Sequence, residues 1–133
     1  MAKIVIDADE AIFGRLCSFA AKKALEGNEV IIVNSEKAII TGNKNNIIKR
    51  YMRIKKLGGH SLKGPKYSRI PGKMLKRGIR GMLPDFRKGQ GKMAFKRIKC
   101  YDSTPNDLKN EKAISMKEKK LKYITVKELS ELI

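Results

Sequence analysis

Lys3-Ile-Val-Ile-Asp7, Arg15-Leu-Cys-Ser-Phe-Ala-Ala-Lys-Lys-Ala-Leu-Glu26 and Glu29-Val-Ile-Ile-Val-Asn34 follow one another near the start of the chain, and their order decides the fold class. The first is a short β-branched run, the signature of a strand. On a wheel of about 100° per residue, the second gathers Leu16, Cys17, Ala20, Ala21, Ala24 and Leu25 on one half, with Ser18, Lys22 and Glu26 opposite. Gly27-Asn28 supplies the stop. In the third, the aliphatics Val30 to Val33 leave no solvent face, so this strand is expected to be buried on both sides. Strand, helix and buried strand make a βαβ unit, for which a parallel pair and a right-handed crossover are expected.

Working outward, Ala38-Ile-Ile-Thr-Gly42 reads as a further short strand. Asn43 then caps a helix that carries Ile47, Ile48, Tyr51, Met52 and Ile54 at core spacing. Residues 57–72 hold Gly58, Gly59, Gly64, Pro65, Pro71 and Gly72 with Lys63, Lys66 and Arg69 between them, a basic and irregular loop. Pro71 suits the first turn of a helix running to about Leu83, where Pro84 stops it. Gly91 to Arg97 reads as another helix, leading into a strand at Ile98-Lys-Cys-Tyr-Asp102. Ser103 to Lys120 is polar and reads as irregular. Thr125-Val-Lys-Glu128 matches a capping box opening a short helix to Ile133, anchored by Leu129, Leu132 and Ile133. Strands alternating with helices predict an α/β class with a small, mostly parallel sheet, in one domain over residues 1–133.

The net charge of +18 lies almost wholly in the middle of the chain. Residues 1–43 carry 5 Lys/Arg against 6 Asp/Glu, residues 44–99 carry 19 against 1, and residues 100–133 carry 7 against 6. Crowded cations repel one another and oppose compaction, so the block implies an external polyanion. Within the helix from Pro71, Lys73, Lys76, Arg77 and Arg80 stand at i, i+3, i+4 and i+7, while Met74, Leu75, Ile79 and Met82 take the other side. Lys88, Lys92, Lys96 and Lys99 make a second stripe wherever their span is helical. An ordinary solvated helix would alternate such cations with Glu. Here the sole acid of residues 44–99 is Asp85.

An anionic membrane would need apolar residues free to insert beside the cations, and here that side is needed for the core. No run approaches the roughly 20 apolar residues that span a bilayer, and the N-terminus lacks the apolar region of a secretion signal. A soluble, cytoplasmic protein is expected. RNA is favoured over DNA because the cations spread over two helices and a glycine-rich loop, which suits an irregular polyanion better than one groove. The expected phosphate contacts are Arg50, Arg53, Lys55, Lys56, Lys63, Lys66, Arg69, Lys73, Lys76, Arg77, Arg80, Arg87, Lys88, Lys92, Lys96 and Arg97. His60 is expected to touch a phosphate or a base. Among the interleaved aromatics, core packing accounts for Tyr51 and Phe95 as well as base stacking does, and Tyr67 is the better stacking candidate.

Catalysis finds little support. The start resembles a nucleotide-binding opening, yet Gly14 stands alone where a dinucleotide fingerprint needs three glycines, and no GxxxxGK[ST] occurs. Asp7, Asp9 and Glu10 cluster, but turn and capping roles account for them. Cys17 and Cys100 lack metal-ligand spacing and read as small buried hydrophobes in a reducing compartment. With His60 the only histidine, no catalytic set assembles. No metal or cofactor is expected. An RNA-modifying or nucleotide-hydrolysing enzyme and a DNA-compacting protein stand as the alternatives.

Three segments resemble one family closely. They are Ile6-Asp7-Ala8 with Phe13-Gly14-Arg15-Leu16; Val33-Asn34 with Ile40-Thr41-Gly42-Asn43-Lys44; and Arg80-Gly81-Met82-Leu83-Pro84 followed by Gly91-Lys92-Met93-Ala94-Phe95-Lys96-Arg97-Ile98-Lys99-Cys100-Tyr101. In order and spacing they resemble the universal thirteenth protein of the large ribosomal subunit, the last segment being the most specific. The resemblance implies a three-layer α/β/α fold around a parallel four-stranded sheet, a place in the large subunit beside ribosomal RNA and neighbouring ribosomal proteins, and a part early in assembly. It does not imply catalysis, and neither a small-molecule substrate nor a functional homo-oligomer is expected. The short connection from Gly27 to Val30 and the extension over residues 103–133 look archaeal in type. Two departures are local: a longer link from Pro84 to Gly91, and Cys100 where a β-branched or small aliphatic residue is usual.

Overall fold

The computed structural model describes residues 2–57, 67–109, 111–118 and 122–133. Strand β1 (Lys3–Asp7), helix α1 (Phe13–Leu25) and strand β2 (Glu29–Val33) form the expected βαβ unit. The two strands pair in parallel, from Lys3 opposite Glu29 to Asp7 opposite Val33. Beyond them come β3 (Ile39–Thr41), α2 (Lys44–Lys56), α3 (Pro71–Gly81), α4 (Gly89–Lys96), β4 (Ile98–Cys100), β5 (Ala113–Ser115), β6 (Tyr123–Thr125) and α5 (Val126–Leu132).

The main sheet is four-stranded and all parallel, in the order β4-β2-β1-β5. Its helices and sheet match the three-layer α/β/α reading, with layers of unequal thickness. Side chains alternate along a strand, so Ile6, Val30, Ile32 and Ile98 join one core with α1, α3, Ile124, Val126 and Leu129. Val5, Ile31 and Val33 face the other way, where Leu108 from a short 3-10 turn closes over them.

The chain after Ser103 departs from expectation. It is not irregular throughout, because Ala113–Ser115 adds a strand alongside β1, pairing Val5 with Ala113 and Asp7 with Ser115. Nor does β3 join the main sheet. It pairs antiparallel with β6 in a separate two-stranded sheet, Ile40 opposite Ile124. That pairing delivers α5 to the core, where Val126 and Leu129 are fully buried. The Thr125 side chain accepts from the Glu128 N–H at 3.1 Å, the half of the capping box read from sequence. Leu132, expected as an anchor, is exposed instead.

Helix α1 buries Leu16, Cys17, Ala20, Ala21 and Ala24, but Leu25 at its end is 40% exposed. Its small residues allow α3 to approach closely. A Cβ built on Gly78 of α3 would stand 2.8 Å from Phe13 Cε1 and 3.1 Å from Cys17 Sγ, so the contact requires glycine there. Of the acidic cluster, Asp7 has the turn role expected: its Oδ1 accepts from the Asp9 N–H and from Asn34 Nδ2, each at 3.0 Å. Asn34 itself adopts a left-handed φ of 57° and accepts from Thr104 Oγ1 at 3.1 Å, tying the C-terminal ends of β1 and β2 to the residues after β4.

Candidate nucleic-acid interface

The interface rests on α3. Ile70 is extended and Pro71 opens the helix, where its missing N–H is no loss. The helix ends at Gly81, two residues before the expected stop, with Leu83 still buried beyond it. Met74, Leu75 and Ile79 are buried, whereas Met82 lies past the helix end and is exposed, not part of the core. Helix amphipathicity thus turns one side of α3 to α1 and leaves Lys73, Lys76, Arg77 and Arg80 on the other. Lys73 is exposed and the other three are half-buried, with their charged heads against aromatic rings.

Those ring contacts organise the block. Lys76 Nζ lies 4.9 Å from the centre of the Phe95 ring, Arg77 Cζ 4.7 Å from that of Tyr67, and Arg80 Cζ 4.5 Å from that of Phe86. Arg87 Cζ approaches the same Phe86 ring at 5.3 Å. The rings pack on one another in turn: Tyr51 with Tyr67 at 6.0 Å and 61°, Phe86 with Phe95 at 6.1 Å and 75°. Edge-to-face rings and cations over their faces both exploit the ring quadrupole. Tyr67 is therefore half-buried between Tyr51 and Arg77, and burial pushes its hydroxyl pKa up to about 12.

Helix α4 adds the second stripe. A Cβ on Gly91 would fall 1.6 Å from the Pro84 carbonyl oxygen, so this glycine lets the turn after α3 lie directly on α4. Lys92 and Lys96 are exposed along the helix, Lys88 precedes it and lies 4.0 Å from Asp85, and Lys99 continues the stripe on edge strand β4. Lys73, Lys76 and Lys99 border a cleft of about 510 Å³ with Gly72 and Asp102, and Lys92 and Lys96 border one of about 680 Å³ with Leu25 and Met93. Arg97 differs. Its Nη1 donates to the Ala24 carbonyl at 3.1 Å, satisfying the last turn of α1, a structural duty that the stripe pattern did not reveal.

Helix α2 carries the rest. Asn43 caps it, its side chain accepting from the Asn45 and Asn46 N–H groups at 3.0 and 3.3 Å. Lys49, Arg50, Arg53 and Lys56 are exposed and Lys55 is half-buried. Ile47, Ile48 and Tyr51 pack against the core only in part, and Met52 is exposed, so this helix lies looser on the body than its spacing suggested. Arg69 Nη1 reaches the Ile133 carbonyl at 3.4 Å. His60, Lys63 and Lys66 lie outside the described residues.

The ion pairs of the flanks run to other flank residues: Lys3 with Glu111, Arg15 with Glu118, Lys23 with Glu26, and Lys117 with Asp9. In the block, Lys44 pairs with Glu128 and Lys88 with Asp85. Residues 44–99 hold a single acid against 19 cations. Asp9, Glu10 and Glu36 line a cleft of about 250 Å³ together with Lys37 and Lys127. Among the described residues, no group of three or more His, Cys, Asp or Glu side chains could hold a metal ion, and no helix is long and apolar enough to cross a membrane. Both cysteines are free, and burial pushes each thiol pKa up to about 12.

Sequence reasoning named most of these cations but missed what holds them. Phe86 reads from the sequence only as an aromatic between charges, and Phe95 as a residue that core packing explains as well as base stacking does. Their spacing from Arg80 and Lys76 fits no helical period, because a turn separates α3 from α4.

The family described as Ribosomal protein L13 matches residues 2–107. The large ribosomal subunit protein uL13 of Methanocaldococcus jannaschii is 49% identical over 129 residues, covering 95% of this chain and 93% of that protein. The protein of the same name from Methanococcus maripaludis is 41% identical over 133 residues, covering 98% and 96%, and that of Thermoplasma acidophilum is 45% identical over 108 residues, covering 81% and 78%. The matched residues include the glycine contacts, the braced cations and the βαβ opening described above, and the chain belongs to the ribosomal protein L13 family.

Proposed function

We propose that this chain is a structural constituent of the large ribosomal subunit in the cytoplasm, laying α2, α3, α4 and their connections against ribosomal RNA and acting early in subunit assembly. One observation carries the reading: among the described residues, most cations of residues 44–99 lie on α2, α3 and α4, exposed or half-buried, and the segment holds one acid. The names of the archaeal relatives support the same assignment. Such a surface neutralises and positions phosphate backbone and does not read base sequence. Arg50, Arg53, Lys55, Lys56, Lys73, Lys76, Arg77, Arg80, Arg87, Lys88, Lys92 and Lys96 serve as its phosphate contacts, with His60, Lys63, Lys66 and Arg69 extending it through the loop. Tyr67 takes part through Arg77, whose guanidinium it carries. Arg97 contributes charge while holding α1.

The chain works as one domain and as a single copy, with neighbouring ribosomal proteins beside it. It performs no catalysis: Asp7 is engaged by the Asp9 N–H and by Asn34, and Asp9 is paired with Lys117. Fractionation of a cell lysate on a sucrose gradient tests the proposal. Co-migration with large subunits through a moderate-salt wash is the expected result. Recovery at the top of the gradient, or with bulk chromosomal DNA, would overturn it.

A further inference from the structure

The cations of the block are not equivalent. Arg80, Arg87 and Lys76 come from α3 and from the turn before α4, yet all three bear on two rings that touch each other. Arg80 and Arg87 lie 4.5 and 5.3 Å from the centre of Phe86, Lys76 lies 4.9 Å from that of Phe95, and the two rings meet at 6.1 Å and 75°. The turn that carries Phe86 is held on α4 by the Pro84–Gly91 contact. A long cationic side chain on an open surface samples many rotamers, and fixing it against a phosphate forfeits that freedom. Seated on a ring, it has surrendered much of it already.

We infer that Phe86 is a positioning residue of the RNA-binding surface: its ring sets Arg80 and Arg87 at a fixed separation, so that this part of the surface fits an RNA backbone already folded into a matching constellation of phosphates. The inference rests on the proposed ribosomal role and deepens it by naming the kind of RNA. A flexible strand gains nothing from cations of fixed spacing, because it adjusts to any arrangement. A folded RNA, whose phosphates converge from distant nucleotides, gains affinity from cations that already match them. Phe86 suits this task because it is only half-buried and lies outside the main core, so its ring is free to serve the guanidinium groups.

The test uses the full chain, transcribed large-subunit ribosomal RNA as the folded ligand and polyuridylate as the flexible one, at one salt concentration. Phe86→Leu removes the ring and keeps an apolar side chain. It should weaken binding to the ribosomal RNA roughly 3- to 10-fold, leave binding to polyuridylate unchanged, lower the thermal midpoint only slightly, and be rescued by Phe86→Tyr. In an Arg80→Met/Arg87→Met background the same substitution should have no further effect. If Phe86→Leu folds poorly, Phe86→Met provides the same comparison. Unchanged affinity for ribosomal RNA, an equal loss on polyuridylate, or an equal loss in the double-methionine background would each overturn the inference. A wild-type chain that does not distinguish the two RNAs would instead sink the ribosomal reading beneath it.

Discussion

Gly91 and Pro84 touch through backbone alone: a Cβ at residue 91 would lie 1.6 Å from the Pro84 carbonyl oxygen and 2.6 Å from that of Asp85. No rotamer change relieves such an overlap, because neither partner is a movable side chain. Gly91→Ala should therefore force the turn away from α4 and destabilise the fold by about 3 kcal/mol, the upper end of the range for overpacking, read as a lowered midpoint in urea. Gly81→Ala, with open space around its Cβ position, serves as the control and should shift the midpoint little.

Arg97 and its neighbours on the stripe should separate stability from binding. Its bond to the Ala24 carbonyl is charge-assisted and partly buried, so Arg97→Met should lower stability by about 1–2 kcal/mol. Lys92→Met, on the open side of α4, should leave stability within about 0.5 kcal/mol and weaken RNA binding. Chemical denaturation and RNA titration of the two variants check the division. Equal destabilisation by both would contradict it.

The two thiols, Cys17 buried and Cys100 partly buried, tie stability to alkaline pH. Cys17 and Cys100 are each raised from an ordinary 9.0 to about 12, chiefly by burial, so the unfolded chain releases these protons first. The stability they contribute is fully present below pH 9.0 and is lost as pH rises toward about 12. The loss should approach about 1.4 kcal/mol per pH unit for each thiol. Cys17→Ala should reduce that slope while weakening packing at all pH values. Equilibrium unfolding between pH 8 and pH 11 measures the slope, and an unchanged slope in the variant would refute the assignment.

The sequence carried the βαβ opening, the caps at Asn43 and Thr125, and the cationic side of α3, because each depends on residues close together in the chain. What escaped depends on distant partners. Ala113-Ile114-Ser115 is too short and too exposed to announce a strand, and it becomes one only because β1 offers an open edge. The pairing of β3 with β6 likewise joins segments about eighty residues apart. Within the candidate interface, the positions of the cations were legible and their supports were not. Arg97 reads as one more phosphate contact but bonds to α1, and Tyr67, which reads as a stacking residue in a loop, is packed against Tyr51 and Arg77.

Salt should govern the affinity. A surface making about six to ten phosphate contacts should lose roughly 10³- to 10⁵-fold in affinity between about 50 and 200 mM monovalent salt. Each exposed lysine removed, Lys73 or Lys92 for example, should lower the steepness of that dependence by nearly one unit. Filter binding across salt concentrations checks both statements, and a flat dependence would exclude a phosphate-dominated interface.

Incorporation of Arg77→Glu/Arg80→Glu into large subunits tests the central claim most directly. Both side chains stand on the side of α3 opposite its buried residues, so the reversed chain should fold normally. The account predicts a variant with wild-type circular dichroism that remains at the top of the gradient while the wild-type chain sediments with the subunit. Wild-type incorporation by the reversed chain would contradict it.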